Sequence, residues 1–124
     1  MRYGCMTADI SPRLLAIVDA LPLRPGMRVL EIGSGPGVMA REMAARIGGG
    51  HVLAIDRSAK AVAQLVSGSA TEIAAARLSA RQCAAEDFEL TPKRRIAAAL
   101  TPAGRLFIDD GDPIREVSLE TYRV

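Results

Sequence analysis

The chain has 124 residues, of which 49% are hydrophobic and 24% are charged, and this length and composition predict a single globular domain rather than a disordered segment. Lys and Arg total 16 and Asp and Glu total 14, and the resulting charge of +2 argues against a nucleic-acid module held by phosphate contacts. No apolar run approaches the ~20 residues of a membrane span, so we expect no membrane contact and a cytoplasmic location.

The first half of the chain alternates predicted helices and strands. Ser11 and Pro12 begin a helix that ends near Leu21, because a side-chain cap is followed by proline at the first helical position. A short β-prone run at residues 27–32 ends at a glycine-rich turn, and a second helix covers residues 38–47. The apolar run at residues 51–56 is continuous, which is typical of a parallel strand covered on both faces.

The second half continues the alternation with weaker signals. A third helix begins after Ser58, breaks at residues 67–69 and resumes between Ile73 and Arg77. The more polar strand at residues 78–83 suits a sheet edge. The remaining predicted elements are a helix at residues 94–100, a strand at 105–109 and one more strand within 116–124. This order predicts an α/β fold, with a parallel sheet between helices on both faces in three layers.

The sharpest feature is a strand that ends in a glycine turn and opens a helix, Val-Leu-Glu-Ile-Gly-Ser-Gly-Pro-Gly at residues 29–37. Glycines let a ligand lie against bare backbone, and the helix start presents unpaired N–H groups. Asp56, at the end of the next strand, is placed to accept hydrogen bonds from ribose hydroxyls. Together these features predict a nucleoside cofactor over the carboxyl ends of two adjacent strands.

Two departures from the dinucleotide-binding fingerprint indicate which cofactor the turn binds. A dinucleotide fingerprint requires Gly-x-Gly-x-x-Gly, but Val38 occupies the third position and glycine comes one residue early, at Gly37. Glu31 would repel a pyrophosphate and would attract an ammonium or sulfonium group. Both departures favour S-adenosylmethionine over NAD, and an NAD-dependent oxidoreductase is the less favoured alternative.

The chain resembles the class I S-adenosylmethionine-dependent methyltransferases of the small-molecule type. The matching motifs are residues 24–37, 55–58, 83–88 and 100–106. They are similar to the family's first, second and third motifs and to its proline-glycine turn into the fifth strand. The resemblance implies one Rossmann-like domain over residues 1–124. Its expected parts are an N-terminal helix at 11–21, a cofactor half at 27–90 and a helix–strand unit at 93–112.

The resemblance also implies roles for individual residues. Glu31 orients the methionine end of the cofactor, Asp56 binds the ribose and Arg57 flanks the adenine. The backbone of Ala85 faces an adenine nitrogen, and Glu86 replaces the family's usual adenine-binding acid. The full set of implied cofactor contacts is Glu31, Gly33, Ser34, Gly35, Gly37, Asp56, Arg57, Ala85 and Glu86. No catalytic residue and no metal ligand is assigned.

The resemblance is incomplete after Leu90, where the family's fourth strand, normally beside the first, has no counterpart. The family's last two strands are reduced to the tail at 116–124. We expect the strand at 105–109 to take the vacant place, giving the strand order third, second, first, fifth. The alternative leaves the first strand as an exposed edge, which favours a homodimer.

These observations favour S-adenosylmethionine-dependent methyl transfer to a small-molecule acceptor. The alternative is a non-catalytic S-adenosylmethionine-binding remnant, or a fragment that needs a partner to complete its sheet. Other polar residues have simpler interpretations. We expect His51 to be solvated at a strand start, Cys5 and Cys83 to be unpaired thiols, and Asp109, Asp110 and Asp112 to be turn residues rather than a metal site.

Overall fold

The computed structural model describes residues 10–83, 106–108 and 115–117. The elements in chain order are α1 (Pro12–Ala20), β1 (Arg28–Ile32), α2 (Val38–Arg46), β2 (His51–Asp56), α3 (Ala59–Gly68), α4 (Ala70–Ala74), β3 (Leu78–Gln82), β4 (Leu106–Ile108) and β5 (Arg115–Val117). The chain forms two compact units, Met1–Ala84 and Ala85–Val124, and the single domain expected from the sequence stays a prediction. Within the described residues, no helix has the length and apolar character needed to cross a membrane.

The first unit contains a three-stranded parallel sheet in the order β1-β2-β3. The central strand β2 pairs Ala54 with Glu31 on one side and Val52 with Leu78 on the other. Its continuous apolar run is largely buried, as a strand between two neighbours requires. The α/β class, the parallel pairing and the order of the first three strands are therefore confirmed, and β3 is an edge strand of this sheet as predicted.

The strand expected beside β1 pairs elsewhere. β4 and β5 form an antiparallel two-stranded sheet in which Phe107 lies opposite Glu116. The predicted placement of residues 105–109 next to β1 is therefore wrong, and β2 is the only partner of β1 among the described strands. Two strands close together in the chain pair antiparallel through a short connection, whereas a parallel place beside β1 needs a long crossover.

The helix boundaries follow the local sequence signals. Ser11 caps α1 by accepting a hydrogen bond from the Leu14 N–H at 3.2 Å, and Ser58 caps α3 by accepting one from the Ala61 N–H at 3.1 Å. The predicted interruption after α3 is confirmed, with Ser69 between α3 and α4. The second segment runs over Ala70–Ala74, earlier than predicted. The predicted helix at 94–100 lies outside the described residues.

One hydrophobic cluster joins the described helices to one face of the parallel sheet. Its buried members are Val18, Ala40, Met43, Ala44, Ile47, Val52, Ala54, Leu65 and Leu78. The side chain of Arg46 on α2 also forms an ion pair with Asp19 of α1 at 2.6 Å. The right-handed crossovers of two successive βαβ units place α2 and α3 on the same face, which explains the single cluster. This packing holds the carboxyl ends of β1 and β2 side by side.

Candidate functional site

The glycine turn at residues 33–37 joins β1 to α2 at the carboxyl edge of the sheet. All three of its glycines have left-handed backbone, with φ of 75° at Gly33, 56° at Gly35 and 95° at Gly37. A Cβ at Gly33 or Gly35 would meet nothing within 4 Å, whereas a Cβ at Gly37 would lie 2.7 Å from Cγ of Leu65. Two of the glycines therefore border open space, and the third brings α2 close to α3.

The backbone N–H groups of this turn are already used within the protein. They belong to Gly33, Ser34, Gly35 and Gly37. The first two donate to the carbonyl of Ile55 at 2.9 and 3.1 Å, and the fourth donates to the carbonyl of Ser34 at 3.3 Å. The third donates to Oδ2 of Asp56 at 2.9 Å, and Pro36 has no N–H group. Within residues 33–37 no N–H group is left for an anion.

Asp56 ends β2 and holds the glycine turn against it. Besides the bond to Gly35, its Oδ1 accepts a hydrogen bond from the Ser58 N–H at 2.8 Å. The backbone bonds from Ser58 and Gly35, with a smaller effect of the Arg57 charge, lower the pKa of Asp56 below its ordinary value of 3.8. The carboxylate is therefore ionised at neutral pH, and each of its oxygens keeps a lone pair for a further donor such as a hydroxyl.

Glu31 lies next to the end of β1, and one oxygen of its carboxyl lacks a hydrogen-bond partner among the described residues. Its Oε1 is buried without a hydrogen bond, and burial together with the Asp56 charge raises the pKa of Glu31 from 4.5 to about 7. The hydroxyl of Ser34, a residue that is 9% exposed, is also buried without a partner among the described residues. Buried polar groups rarely stay unsatisfied in native proteins, so this pair of atoms points to a ligand site.

The remaining predicted contacts are only partly described. Arg57 is exposed and follows Asp56 directly, and its carbonyl accepts a hydrogen bond from Nε2 of Gln82 at 3.2 Å. Ala85 and Glu86 lie outside the described residues. The predicted site residues that the structure brings to the carboxyl edge of β1 and β2 are Glu31, Gly33, Ser34, Gly35, Gly37, Asp56 and Arg57.

Arg41 of α2 is a neighbour of the turn that sequence reasoning missed. Its Nη1 donates to the carbonyl of Pro36 at 3.1 Å and to Oγ of Ser69 at 3.0 Å. An arginine on a predicted amphipathic helix is ordinarily solvated, and Ser69 lies 28 residues further along the chain. No local spacing signal could therefore have paired these two residues.

His51 has a structural role away from the glycine turn. It begins β2, so it lies at the amino edge of the sheet, and it is half-buried rather than solvated as predicted. Its Nδ1 lies 2.7 Å from the Ala76 carbonyl, and its Nε2 lies 2.7 Å from Oγ of Ser79. A carbonyl only accepts, so Nδ1 is the donor in this contact. His51 therefore links β2 to the segment that carries β3.

No metal site is formed within the part of the chain that the structure describes, because no three His, Cys, Asp or Glu side chains there could hold an ion. Four residues discussed above lie outside that part, namely Cys5, Asp109, Asp110 and Asp112. The site at the turn instead offers hydrogen-bond acceptors and bare backbone. A ligand with hydroxyl groups and a positive end suits these groups, whereas a diphosphate does not.

Comparison with known proteins gives an independent result for the same residues. A family model described as "Methyltransferase domain" matches residues 29–123, which include the glycine turn, Asp56 and β3. None of the curated proteins matches the chain significantly.

Solved structures also resemble this chain. YcgJ from Bacillus subtilis is 19% identical with a TM-score of 0.63, over 76% of this chain and 48% of its own. A SAM-dependent methyltransferase from Geobacter sulfurreducens, in complex with S-adenosyl-L-homocysteine, is 25% identical with a TM-score of 0.63, over 79% of this chain and 47% of its own.

A third solved structure is phosphoethanolamine N-methyltransferase 2 from Haemonchus contortus, in complex with phosphomonomethylethanolamine and S-adenosylhomocysteine. It is 26% identical with a TM-score of 0.65, over 77% of this chain and 27% of its own. The chain thus spans less than half the length of each of these three structures.

Proposed function

This chain belongs to the methyltransferase domain family, and on that premise we propose that it binds S-adenosylmethionine at the glycine turn and transfers the methyl group to a small-molecule acceptor. Residues 29–123 match the family model. Two of the similar solved structures contain S-adenosylhomocysteine, the demethylated form of this cofactor. The family's class I fold, an open parallel sheet with helices, is the fold of the first unit.

The observation that carries the proposal is the hydrogen bonding of the glycine turn. The N–H groups of residues 33–37 are used within the chain, while Oε1 of Glu31 next to the turn is buried without a partner among the described residues. A pyrophosphate would find no donor within residues 33–37, and it would be repelled by Glu31 and Asp56. A cofactor whose amino-acid end carries an ammonium group and whose sulfur is a sulfonium avoids both problems. The same argument disfavours NAD.

Different residues at the turn are proposed to contact different parts of the cofactor. We assign the methionine end to Glu31 and the Ser34 hydroxyl, and the ribose hydroxyls to Asp56, whose oxygens keep free lone pairs. Open space at Gly33 and Gly35 leaves room for the ligand to lie against the backbone. Arg57, Ala85 and Glu86 stay predicted adenine contacts.

Methyl transfer from S-adenosylmethionine requires mainly that the protein orients the reacting groups. When bound, S-adenosylmethionine supplies an activated methyl group on a positively charged sulfur. The residues at the turn hold the ligand at a fixed point of a rigid sheet edge and keep its charged end away from bulk water. Alignment of two reacting groups lowers the barrier without a dedicated acid or base.

Titration calorimetry of the full chain with S-adenosylhomocysteine tests cofactor binding. We expect one site per chain and loss of binding in Asp56→Ala, because the substitution removes the ribose acceptor and the bond that holds Gly35. Glu72→Ala, which removes a carboxyl on α4, is the matched control and should bind like the unmodified chain. A folded chain that binds NADH but not S-adenosylhomocysteine would contradict the proposal.

Transfer is tested separately from binding. The full chain is incubated with cofactor carrying a radiolabelled methyl group and with a panel of small acceptors. Phosphomonomethylethanolamine is the first member, since it occupies the Haemonchus contortus structure. Label in a small product supports a methyltransferase, and Asp56→Ala should abolish it.

A second candidate function is binding of S-adenosylmethionine without transfer, by a chain that needs a partner to complete its sheet. The pairing of β1 favours this alternative, because among the described strands β1 has a neighbour on one side only, namely β2. It predicts normal binding of S-adenosylhomocysteine and no labelled product from any acceptor. The two experiments together distinguish the candidates.

A further inference from the structure

Arg41 connects the glycine turn to a distant part of the fold. It lies in the first turn of α2, where its own N–H donates to the Gly37 carbonyl at 2.9 Å. Its Nη1 reaches back to the Pro36 carbonyl and across to the Ser69 hydroxyl, at 3.1 and 3.0 Å. One nitrogen atom thus donates hydrogen bonds both to the turn and to the junction of α3 and α4.

The junction is built to receive this guanidinium. Ser69 is fully buried, and its hydroxyl does not cap α4, so Arg41 is its hydrogen-bond partner. Gly68 ends α3, and a Cβ there would lie 3.2 Å from Nη1 of Arg41. A Cβ at Gly37 would lie 2.9 Å from the same atom. Glycine on two different elements therefore leaves the space that the guanidinium fills.

Helix stability alone does not account for this arginine. A positive charge in the first turn of a helix is unfavourable with the helix dipole. Among the described residues, no carboxylate is paired with Arg41, whereas Arg46 on the same helix has Asp19 and Glu42. The contacts of Arg41 instead hold the carbonyl of Pro36, the residue between Gly35 and Gly37, in place.

We propose that Arg41 is a positioning residue for cofactor binding, which fixes the glycine turn by anchoring the Pro36 carbonyl to the Ser69 hydroxyl. With Pro36 held, the Gly35 N–H points at Asp56 and the open space beside Gly33 and Gly35 keeps its shape. The effect on ligand affinity rests on the proposed function. The effect on the turn itself does not, and it is measured without ligand.

The test combines hydrogen exchange of the ligand-free full chain with titration by S-adenosylhomocysteine. Arg41→Met removes the anchor and keeps the aliphatic stem. Ser69→Ala removes the same anchor from its other end, at a residue whose link to the turn runs through Arg41. Arg46→Met is the matched control, because it removes an arginine of the same helix together with its ion pairs to Asp19 and Glu42.

We expect exchange of the Gly35 N–H to become about tenfold faster in Arg41→Met and in Ser69→Ala, and affinity for S-adenosylhomocysteine to fall about tenfold. Arg46→Met should leave both values within about twofold. The Val52 N–H, which donates to the Arg77 carbonyl inside the sheet, reports global stability in every variant.

Three results would overturn the inference. One is unchanged exchange at Gly35 in Arg41→Met, the second is an equal change in Arg46→Met, and the third is acceleration at Gly35 only in proportion to that at Val52. Arg41→Lys, which keeps the charge, serves as the milder variant if Arg41→Met does not fold. An unmodified chain that binds no S-adenosylhomocysteine would refute the proposed function, while the exchange data would still decide the role of Arg41.

Discussion

Glu31 lies one residue before the end of β1 and Asp56 ends the adjacent strand β2, and their environments shift their pKa values in opposite directions. Backbone N–H groups from Ser58 and Gly35 lower the pKa of Asp56, whereas burial and the neighbouring charge raise the pKa of Glu31 to about 7. Near neutral pH one carboxyl is fully ionised and the other is divided between its two forms. Ionisation of the buried acid therefore weakens the fold as the pH rises from 4.5 toward 7, and the ionised form is available to a cationic ligand.

The first prediction concerns stability. In the unfolded chain Glu31 ionises near 4.5 and in the folded chain near 7, so the folded form holds a proton that the unfolded form has lost between these values. The free energy of unfolding then falls as the pH rises through this window. Glu31→Gln should remove this loss and stabilise the ligand-free protein by about 2–3 kcal/mol at pH ~8, with little effect below pH ~4.

Urea denaturation at both pH values measures this difference. Glu72→Gln is the control, because it makes the same change to a carboxyl on α4. Equal stability of Glu31→Gln and the unmodified chain at pH ~8 would contradict the burial of an unpartnered acid.

The second prediction concerns ligand binding. A cationic ligand favours the ionised form of Glu31, so binding below its pKa of about 7 must release a proton. Affinity for S-adenosylmethionine should fall as the pH drops from about 8 to about 6, by at most tenfold for each unit below the pKa. In Glu31→Gln the affinity should be lower at pH ~8 and nearly independent of pH. Calorimetry in two buffers with different ionisation enthalpies counts the released proton.

Among the three glycines of the turn between β1 and α2, Gly35 and Gly37 have different roles, and the third prediction separates these roles. Gly35→Ala places a methyl group in open space at φ of 56°, which costs about 1 kcal/mol of stability but fills the proposed ligand site. Gly37→Ala drives its Cβ to within 2.7 Å of the buried Leu65 and adds the strain of φ 95°, so it should cost several kcal/mol, about 2–4.

Thermal unfolding and titration with S-adenosylhomocysteine are measured on both variants. We expect Gly35→Ala to unfold close to the unmodified chain and to bind poorly, and Gly37→Ala to lose most of its stability. The reverse order would mean that Gly35, and not Gly37, sets the packing of α2 on α3.

The sequence predicted the helices and strands well where their limits depend on residues that are neighbours in the chain. The caps at Ser11 and Ser58, the apolar run of β2 and the break at Ser69 each depend on neighbouring residues, and each is found. The pairing of β4 with β5 was missed because each strand has only three residues and carries little pattern of its own.

The site shows the same division. The glycine turn and Asp56 carry their chemistry in residue type and spacing, so the sequence indicated them. The internal use of the turn's N–H groups, the unpartnered Oε1 of Glu31 and the anchor at Arg41 depend on contacts across the fold. No spacing rule contains that information.

The side of β1 that faces away from β2 has no neighbour among the described strands, and this bears on assembly. Among the described strands β1 pairs only with β2, and Ile32 at its end is 38% exposed. An apolar strand with an open edge is a template for another strand. A homodimer through this edge, which was the alternative outcome in the sequence analysis, therefore stays a prediction, and it is the fourth that we make.

Sedimentation of the full chain over a wide concentration range tests it. We expect a concentration-dependent dimer that Ile32→Lys shifts toward the monomer, because a charged residue on an edge strand opposes pairing. Val66→Lys replaces the other large exposed hydrophobic residue of the described part of the chain, which lies on α3 and is 45% exposed, and should leave the dimer intact. A chain that sediments as a monomer at every concentration would rule out this assembly.

The two hydrogen bonds that the carbonyl of Ile55 accepts from the glycine turn have a kinetic consequence. Because Gly33 and Ser34 both donate to that carbonyl, the glycine turn continues the β1–β2 ladder and moves with it. The ordering of this segment is completed when the sheet folds, so no loop rearrangement precedes capture of a ligand. Association should follow a single exponential whose rate rises linearly with ligand concentration, and differences in affinity among ligands should appear in their residence times.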